Sequence, residues 1–321
     1  MTILDSGEKA GASRFFHFRR FLLLRTRVYI DGYNLYYGCL KGTSYKWLDL
    51  VKLFKEKILP SITAQVDGAN LKLDLENLTI KYFTAEILEK LAKDPDSRTS
   101  QKSYLGALAK YSQNSLEIIK GNYSLIEAHA KQIDPQNSAK WPRDCQTVSI
   151  WKVEEKKSDV SLALHAFKDA ILGEIDHAVI VTNDTDIQPA LAMINALTSV
   201  KIGLVIPTRH HQRIPNQELN DQALWVRSHI TEAELASCEL PRVIPARRPS
   251  SKPISWYPCP HLIQKALDIS KAHGMKTNDI YKWLQQPNAH WENALPLDLL
   301  SNEDDGQKVL DFMTGWQIPY N

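Results

Sequence analysis

The sequence predicts an α/β fold built on a largely parallel sheet, followed by a small all-helical region. Three observations carry that expectation. From Arg27 onward, short apolar runs alternate with amphipathic stretches of helical period, the pattern of strands joined by crossover helices. Two successive strand–helix–strand units lie between Val148 and Ile206. After Leu240 the strand-like runs stop, a proline-rich stretch intervenes, and only helical periodicity remains.

The elements follow in order. The segment FFHFRRFLLL (Phe15 to Leu24) is interrupted by His17, Arg19 and Arg20, is too short to span a bilayer, and lacks a small-residue cleavage site. Residues 1–26 are therefore expected to be a dispensable extension of a cytoplasmic chain without membrane contact. A first strand is expected at Val28 to Ile30 and a helix at Trp47 to Ile58. A strand at Leu78 to Phe83 and a helix from Arg98 to Tyr111 come next. Strands are expected at Leu116 to Ile119 and Val148 to Val153, with Ser124 to Ile133 open between helix and strand. The helix Val160 to Leu172, strand Ala178 to Val181, helix Ile187 to Leu197 and strand Ile202 to Ile206 complete a domain over residues 27–240. The stretch PRVIPARRPSSKPISWYPCP holds six prolines and four basic residues, so residues 241–257 are expected to form an extended linker. Residues 258–321 then read as a small helical domain, with Pro296 and Asn302 at helix starts.

Composition excludes several classes. A chain of 321 residues with 43% hydrophobic content can bury a sizeable core, and a net charge of +2 does not mark a nucleic-acid binder by itself. Cys39, Cys145, Cys238 and Cys259 form no CxxC pair, and Cys259 with His261 matches no common zinc spacing, so reduced thiols are expected. No GxSxG, Walker A or GxGxxG signature is present.

Acidic residues carry the chemical signal. Asp31 follows the first strand, Asp159 opens a helix, and Asp184 with Asp186 follow a late strand. In such sheets ligands collect where strand ends turn into helices. Each aspartate alone is as well explained by a turn or a helix cap. Together they would repel one another unless a cation intervened, and oxygen donors suit Mg2+ or Mn2+.

The segments RVYIDGYNLYYG (Arg27 to Gly38), EEKKSDVSLALHAF (Glu154 to Phe167) and HAVIVTNDTDIQPAL (His177 to Leu191) resemble the signature blocks of the NYN domain, in the PIN-like nuclease superfamily. KYFTAEI (Lys81 to Ile87), Arg98 to Leu108 and IIKGNY (Ile118 to Tyr123) extend the resemblance. It implies a Rossmann-like three-layer α/β/α PIN-like domain and a metal-dependent endoribonuclease. Asp31, Asp159, Asp184 and Asp186 would hold Mg2+ or Mn2+, and Asn34 would orient water or a carboxylate. RNA would meet Tyr33, Lys157, Arg209 and Arg213, although surface charge and core packing explain such residues equally well. His165, on an otherwise apolar helix, is left outside the catalytic set.

Trp283 to Trp316 resembles the toxin-binding domain of the Xre/ParS/MbcA antitoxin group, which implies a module for a protein partner or self-association within residues 258–321. The alternatives are a catalytically weak RNA-binding scaffold of the same fold and a metal-dependent phosphatase.

Overall fold

The computed structural model describes residues 23–66, 69–92, 94–210 and 212–316. Its strands are β1 (Leu23–Asp31), β2 (Gln65–Val66), β3 (Ala69–Asn70), β4 (Lys72–Ala85), β5 (Leu116–Lys131), β6 (Thr147–Lys156), β7 (His177–Val181), β8 (Lys201–Val205), β9 (Trp225–Arg227), β10 (Val243–Ile244) and β11 (Ser250–Ser251). Seven of them form one sheet in the order β6-β5-β4-β1-β7-β8-β9. All its neighbouring pairs are parallel except β5 with β6. The chain builds outward from β1 first through β4 and later through β7, so the strand order reverses between β1 and β7. Ligand crevices form at such reversals.

The helices are α1 (Gly32–Leu35), α2 (Leu50–Lys52), α3 (Ser97–Ser112), α4 (Ser158–Ile171), α5 (Gln188–Leu197), α6 (Gln217–Asn220), α7 (Glu232–Ser237), α8 (Pro260–Ala272), α9 (Thr277–Leu284), α10 (Pro296–Leu299) and α11 (Glu303–Thr314). Side-chain alternation along β1 splits the core in two. Val28 and Ile30 join Trp47, Phe54, Leu105 and Leu108 on one face. Tyr29 joins Leu162 and Ala166 of α4 and Leu191 and Ile194 of α5 on the other. With both faces covered, all five residues of β7 are buried, which is why that strand reads as a continuous apolar run. Under α4 the fully buried Asp169 receives Arg27 Nη1 at 2.6 Å, Lys81 Nζ at 2.7 Å and the Tyr29 hydroxyl at 2.7 Å.

A third apolar cluster gathers Leu262, Ile263, Leu267, Ile280, Leu284, Leu297, Leu300, Val309 and Leu310 from the C-terminal helices. Arg242 pairs with Asp298 across to it. Among the described residues no helix is long and apolar enough to cross a membrane.

Several elements differ from the sequence expectation. β1 starts at Leu23 and buries Leu24 and Thr26, so residues 23–26 belong to the sheet; residues 1–22 lie outside the described residues. Ser124 to Ile133, left open, is mostly the outer half of β5, which pairs with β6 from Asn122↔Lys156 to Lys131↔Thr147. This arm has few buried positions, so no apolar period marked it. The proline-rich stretch is pinned rather than free. β10 pairs with β11, Ile244 is buried, and Lys110 Nζ donates to the Arg248 carbonyl and to Ser250 Oγ, both at 2.7 Å.

Candidate active site

The crevice between β1 and β7 is built from their last residues. Asp31 closes β1 and caps α1: its Oδ1 accepts the Asn34 N–H at 2.9 Å, and its Oδ2 accepts Asn34 Nδ2 at 2.5 Å. Thr182, just after β7, donates its hydroxyl to Asp31 Oδ2 at 2.9 Å. The same Thr182 oxygen accepts the Asp184 N–H at 3.1 Å, and Asp184 Oδ1 accepts the Asp186 N–H at 3.0 Å. Asn183 turns away, accepting the Asn216 N–H at 3.0 Å. Asp184 thus takes the cap role foreseen for it, and Asp31, read as a turn residue, is a cap as well. Asp159 is no N-cap: that position is Lys157, whose backbone lies in the left-handed region at φ 79°.

Electrostatics ties the carboxylates together. Burial pushes Asp31 above the ordinary carboxylate range, against the hydrogen bonds from Asn34 and Thr182, and the charge of Asp184 adds to the rise. Asp159, in the first turn of α4, is raised to about 6 by desolvation and then by Asp31, Asp184, Glu155 and Asp186. The structure therefore brings Asp31, Asp184 and Asp186 within electrostatic reach of Asp159. A fifth acid, Glu155, was not singled out in the sequence. Its Oε2 accepts the Tyr123 hydroxyl at 3.2 Å, while its buried Oε1 has no partner. The signal for it was its place four residues before Asp159 at the end of β6.

Aromatic rings form one wall. Lys41 N–H donates to the Tyr36 carbonyl at 2.8 Å across a widened helical turn, Tyr36–Leu40, continuous with α1. Tyr33 and Tyr37 are exposed there with ring centroids 4.4 Å apart, and Tyr36 meets Tyr37 edge-on at 5.2 Å. Tyr33 lies close enough to Asp31 and Glu155 to feel their charge. Of the cations, Arg213 reaches the site, with Nη1 3.5 Å from Asn34 Oδ1. Arg209 turns to Glu232 at 3.3 Å, and Lys157 is exposed at the strand–helix junction. Thr182 was also missed in the sequence, because a threonine after an apolar strand is too common to stand out.

No family model matches the chain. Among curated proteins it is 48% identical over 295 residues to 6-hydroxy-3-succinoylpyridine 3-monooxygenase HspA of Pseudomonas putida, covering 91% of this chain and 95% of that protein. Among solved structures, a protein of unknown function from Vibrio parahaemolyticus shares 16% identity over 65% of this chain and 94% of its own, with a TM-score of 0.34. That likeness is too slight to carry any inference.

The close relative corrects the resemblances to the NYN nuclease and to the antitoxin domain, since one monooxygenase spans nearly the whole chain. Ribonuclease activity, the RNA contacts of Tyr33, Lys157, Arg209 and Arg213, and the phosphatase and scaffold alternatives fall with it. The expectation of Mg2+ or Mn2+ held by Asp31, Asp159, Asp184 and Asp186 is corrected too. A monooxygenase relative does not call for that hydrolytic ion, and among the described residues no group of three or more His, Cys, Asp or Glu has metal-holding geometry. The physical source of the misreading is that Asp31 and Asp184 serve as caps at strand ends, a place where this architecture puts carboxylates whatever the chemistry.

Proposed function

This chain belongs to the 6-hydroxy-3-succinoylpyridine 3-monooxygenase family, and on that premise we propose that it inserts one atom of O2 into a hydroxylated pyridine ring bearing a short acid-terminated side chain. The observation that carries the reading is the 48% identity sustained over 91% of the chain. Apolar cores on both faces of the sheet support a Rossmann-like three-layer arrangement for residues 27–240. The separate core among the last helices supports a second folding unit within residues 258–321, joined through 241–257.

Ordinary monooxygenation consumes O2, two electrons and two protons; one oxygen enters the organic product and the other leaves as water. In 6-hydroxy-3-succinoylpyridine, carbon 3 lies across the ring from position 6 and carries the acyl side chain, so oxygen enters there only as the C3–acyl bond breaks. The acyl carbon leaves as a carboxylic acid when two electrons are supplied, or as an aldehyde, with water, when four are. Removing the proton of a 6-hydroxyl pushes electron density to the carbon that takes up oxygen. Asp159, titrating at about 6, is the base in this reading, ionised at neutral pH yet basic enough to accept that proton. Desolvation first, and then the neighbouring Asp31 fixed by Asn34 and Thr182, keep Asp159 basic. Tyr33 and Tyr37 offer a face for a flat heteroaromatic ring. Arg213, held at Asn34, is placed to pair with a side-chain carboxylate.

A flavin is one redox group on which such chemistry draws. Its dinucleotide form needs a glycine-rich turn after the first strand, open to a pyrophosphate. Here a Cβ on Gly32 would lie 2.5 Å from the Phe83 carbonyl, and one on Gly38 would lie 1.7 Å from the Pro207 carbonyl. Both glycines serve close approach within the protein, and the turn is flanked by carboxylates. These residues do not fit that group.

The test is oxygen uptake and mass spectrometry under 18O2 with 6-hydroxy-3-succinoylpyridine and reduced nicotinamide, with and without free flavin. One 18O atom in the pyridine product is expected. Unlabelled product or recovered substrate under every condition overturns the reading.

A further inference from the structure

We propose that Asn183 is a positioning residue that holds Arg213 at the crevice and so gives the site its preference for a substrate whose side chain ends in a carboxylate. This rests on the reading in which Arg213 meets that carboxylate, and adds what sets the arginine in place. Asn183 lies between Thr182, which donates to Asp31, and Asp184, which caps the helical turn before α5. Its own side chain turns instead to the segment from Pro207 to Asn216, which joins β8 to α6. Asn183 Nδ2 donates to the Ile214 carbonyl at 3.2 Å, and its Oδ1 accepts the Asn216 N–H at 3.0 Å. One amide thus grips a backbone acceptor and a backbone donor of the same segment. An aspartate in its place would lose the donor and add charge beside Asp184.

The segment is fixed at its other end as well. Gly38 lies so close to it that a Cβ there would come within 1.7 Å of the Pro207 carbonyl oxygen, and the carbonyl of the buried Thr208 accepts the Ile230 N–H at 2.9 Å. Between the two pins stand Arg209 and Arg213, which are used differently. Arg209 pairs with Glu232 at 3.3 Å. Arg213 is exposed, one residue before the carbonyl that Asn183 holds, and its Nη1 stands 3.5 Å from Asn34 Oδ1. Asn34 gives its own amide donor to Asp31, so the oxygen it turns to Arg213 belongs to the side chain that fixes the crevice acid. There the guanidinium meets a neutral dipole rather than a carboxylate, which keeps its charge for an entering anion.

Preorganisation gives the pin its consequence. A guanidinium whose backbone is already placed binds a carboxylate without first ordering its own segment. With the pin removed, that ordering is repeated at each binding event, a cost that falls on ligands that use Arg213 and on no others.

Equilibrium dialysis of the full chain without O2 or reductant, against 6-hydroxy-3-succinoylpyridine and against the primary amide of its side chain, gives the test. Wild type is expected to bind the acid about 10–100-fold more tightly than the amide, the span of a hydrogen bond to a charged group. Asn183→Ala is expected to weaken the acid by about fivefold, while the amide changes by less than about twofold. Arg213→Ala should abolish the preference, and Asn183→Ala made in that variant should then move neither affinity by more than about twofold. Asn195→Ala removes a comparable bond to the Gln222 carbonyl, 2.9 Å long and at the far end of α5, and is expected to leave the preference intact. A full preference for the acid in Asn183→Ala overturns the proposal, as does an equal loss of acid and amide there. It is overturned too if wild type binds the acid no better than the amide or binds neither, or if the effect of Asn183→Ala persists undiminished beside Arg213→Ala. A preference that disappears as expected, in a protein that puts no 18O into the pyridine, sinks the monooxygenase reading alone and leaves the role of Asn183 standing.

Discussion

Asp159 sets a conflict between stability and chemistry. Its carboxyl titrates at about 6 in the folded protein, above the ordinary aspartate value of 3.8. The folded state therefore holds the proton more tightly than the unfolded state. That contribution is fully present below pH 3.8 and is lost as pH rises through about 6, so the ionised form is a net cost above it. Asp159→Asn is expected to raise the thermal midpoint by about 1–3 °C at pH 8 and to change it little at pH 4. The same substitution is expected to lower turnover by about 10²–10⁴-fold, the span typical of a lost general base. Wild-type kcat/KM should climb through pH 6, a limb absent from any residual activity of the variant. Thermal melts and pH–rate profiles check both; equal melting shifts at pH 4 and pH 8 would refute the sign. Much of this site was legible, since Asp31, Asn34, Asp159, Asp184 and Arg213 all stood out in the sequence. What they do was not. A carboxylate after a strand can cap, bind a cation or move a proton, and the short segments around it do not say which.

The junction of β6 and α4 shows how local strain positions that base. Lys157 caps α4 with φ 79°, a conformation that puts a lysine Cβ against its own backbone and costs about 1 kcal/mol or more. Immediately after it, Ser158 is buried with its hydroxyl unpaired, and Gly121 on β5 is bare because a Cβ there would lie 2.5 Å from Ser158 Oγ. The tight turn sets Asp159 in the first turn of α4, where the charges of Asp31 and Asp184 reach it. Lys157→Gly is expected to stabilise the fold by about 0.5–1 kcal/mol, because glycine adopts this backbone freely. Urea titration should show a higher midpoint at unchanged slope; a lower midpoint would mean that the lysine stem contributes packing that outweighs the strain. Sequence pattern could not announce this turn, because Lys-Lys-Ser-Asp carries no glycine to mark a left-handed position. The same limit explains β9, whose three residues Trp225–Arg227 are too few for a period. By contrast α3, α4, β7, α5 and β8 were legible to within a few residues, since each buries a face at a regular spacing.

At the scale of the whole molecule, a buried histidine bolts the sheet together. His177 opens β7 beneath the paired Arg25 and Asp176, fully buried between Thr26 of β1 and Trp225 of β9. Trp225 Nε1 donates to His177 Nε2 at 3.0 Å, so Nε2 carries no proton. The Thr26 hydroxyl donates to the Leu24 carbonyl at 3.1 Å, which leaves its oxygen to accept His177 Nδ1–H at 3.2 Å. The network thus fixes the neutral Nδ1–H tautomer, and burial lowers the imidazole from 6.5 to about 4. A depressed histidine binds its proton more tightly when unfolded. Its stabilising contribution is present above pH 6.5 and is lost as pH falls through about 4, opposite in direction to Asp159. Between pH 6.5 and about 4 the protein should therefore take up close to one extra proton on unfolding because of this residue. Urea midpoints measured across that range are expected to fall with a slope that is shallower in His177→Asn, even though that variant is less stable at pH 8. If the two slopes coincide, the histidine is protonated in the folded sheet and the tautomer assigned here is wrong.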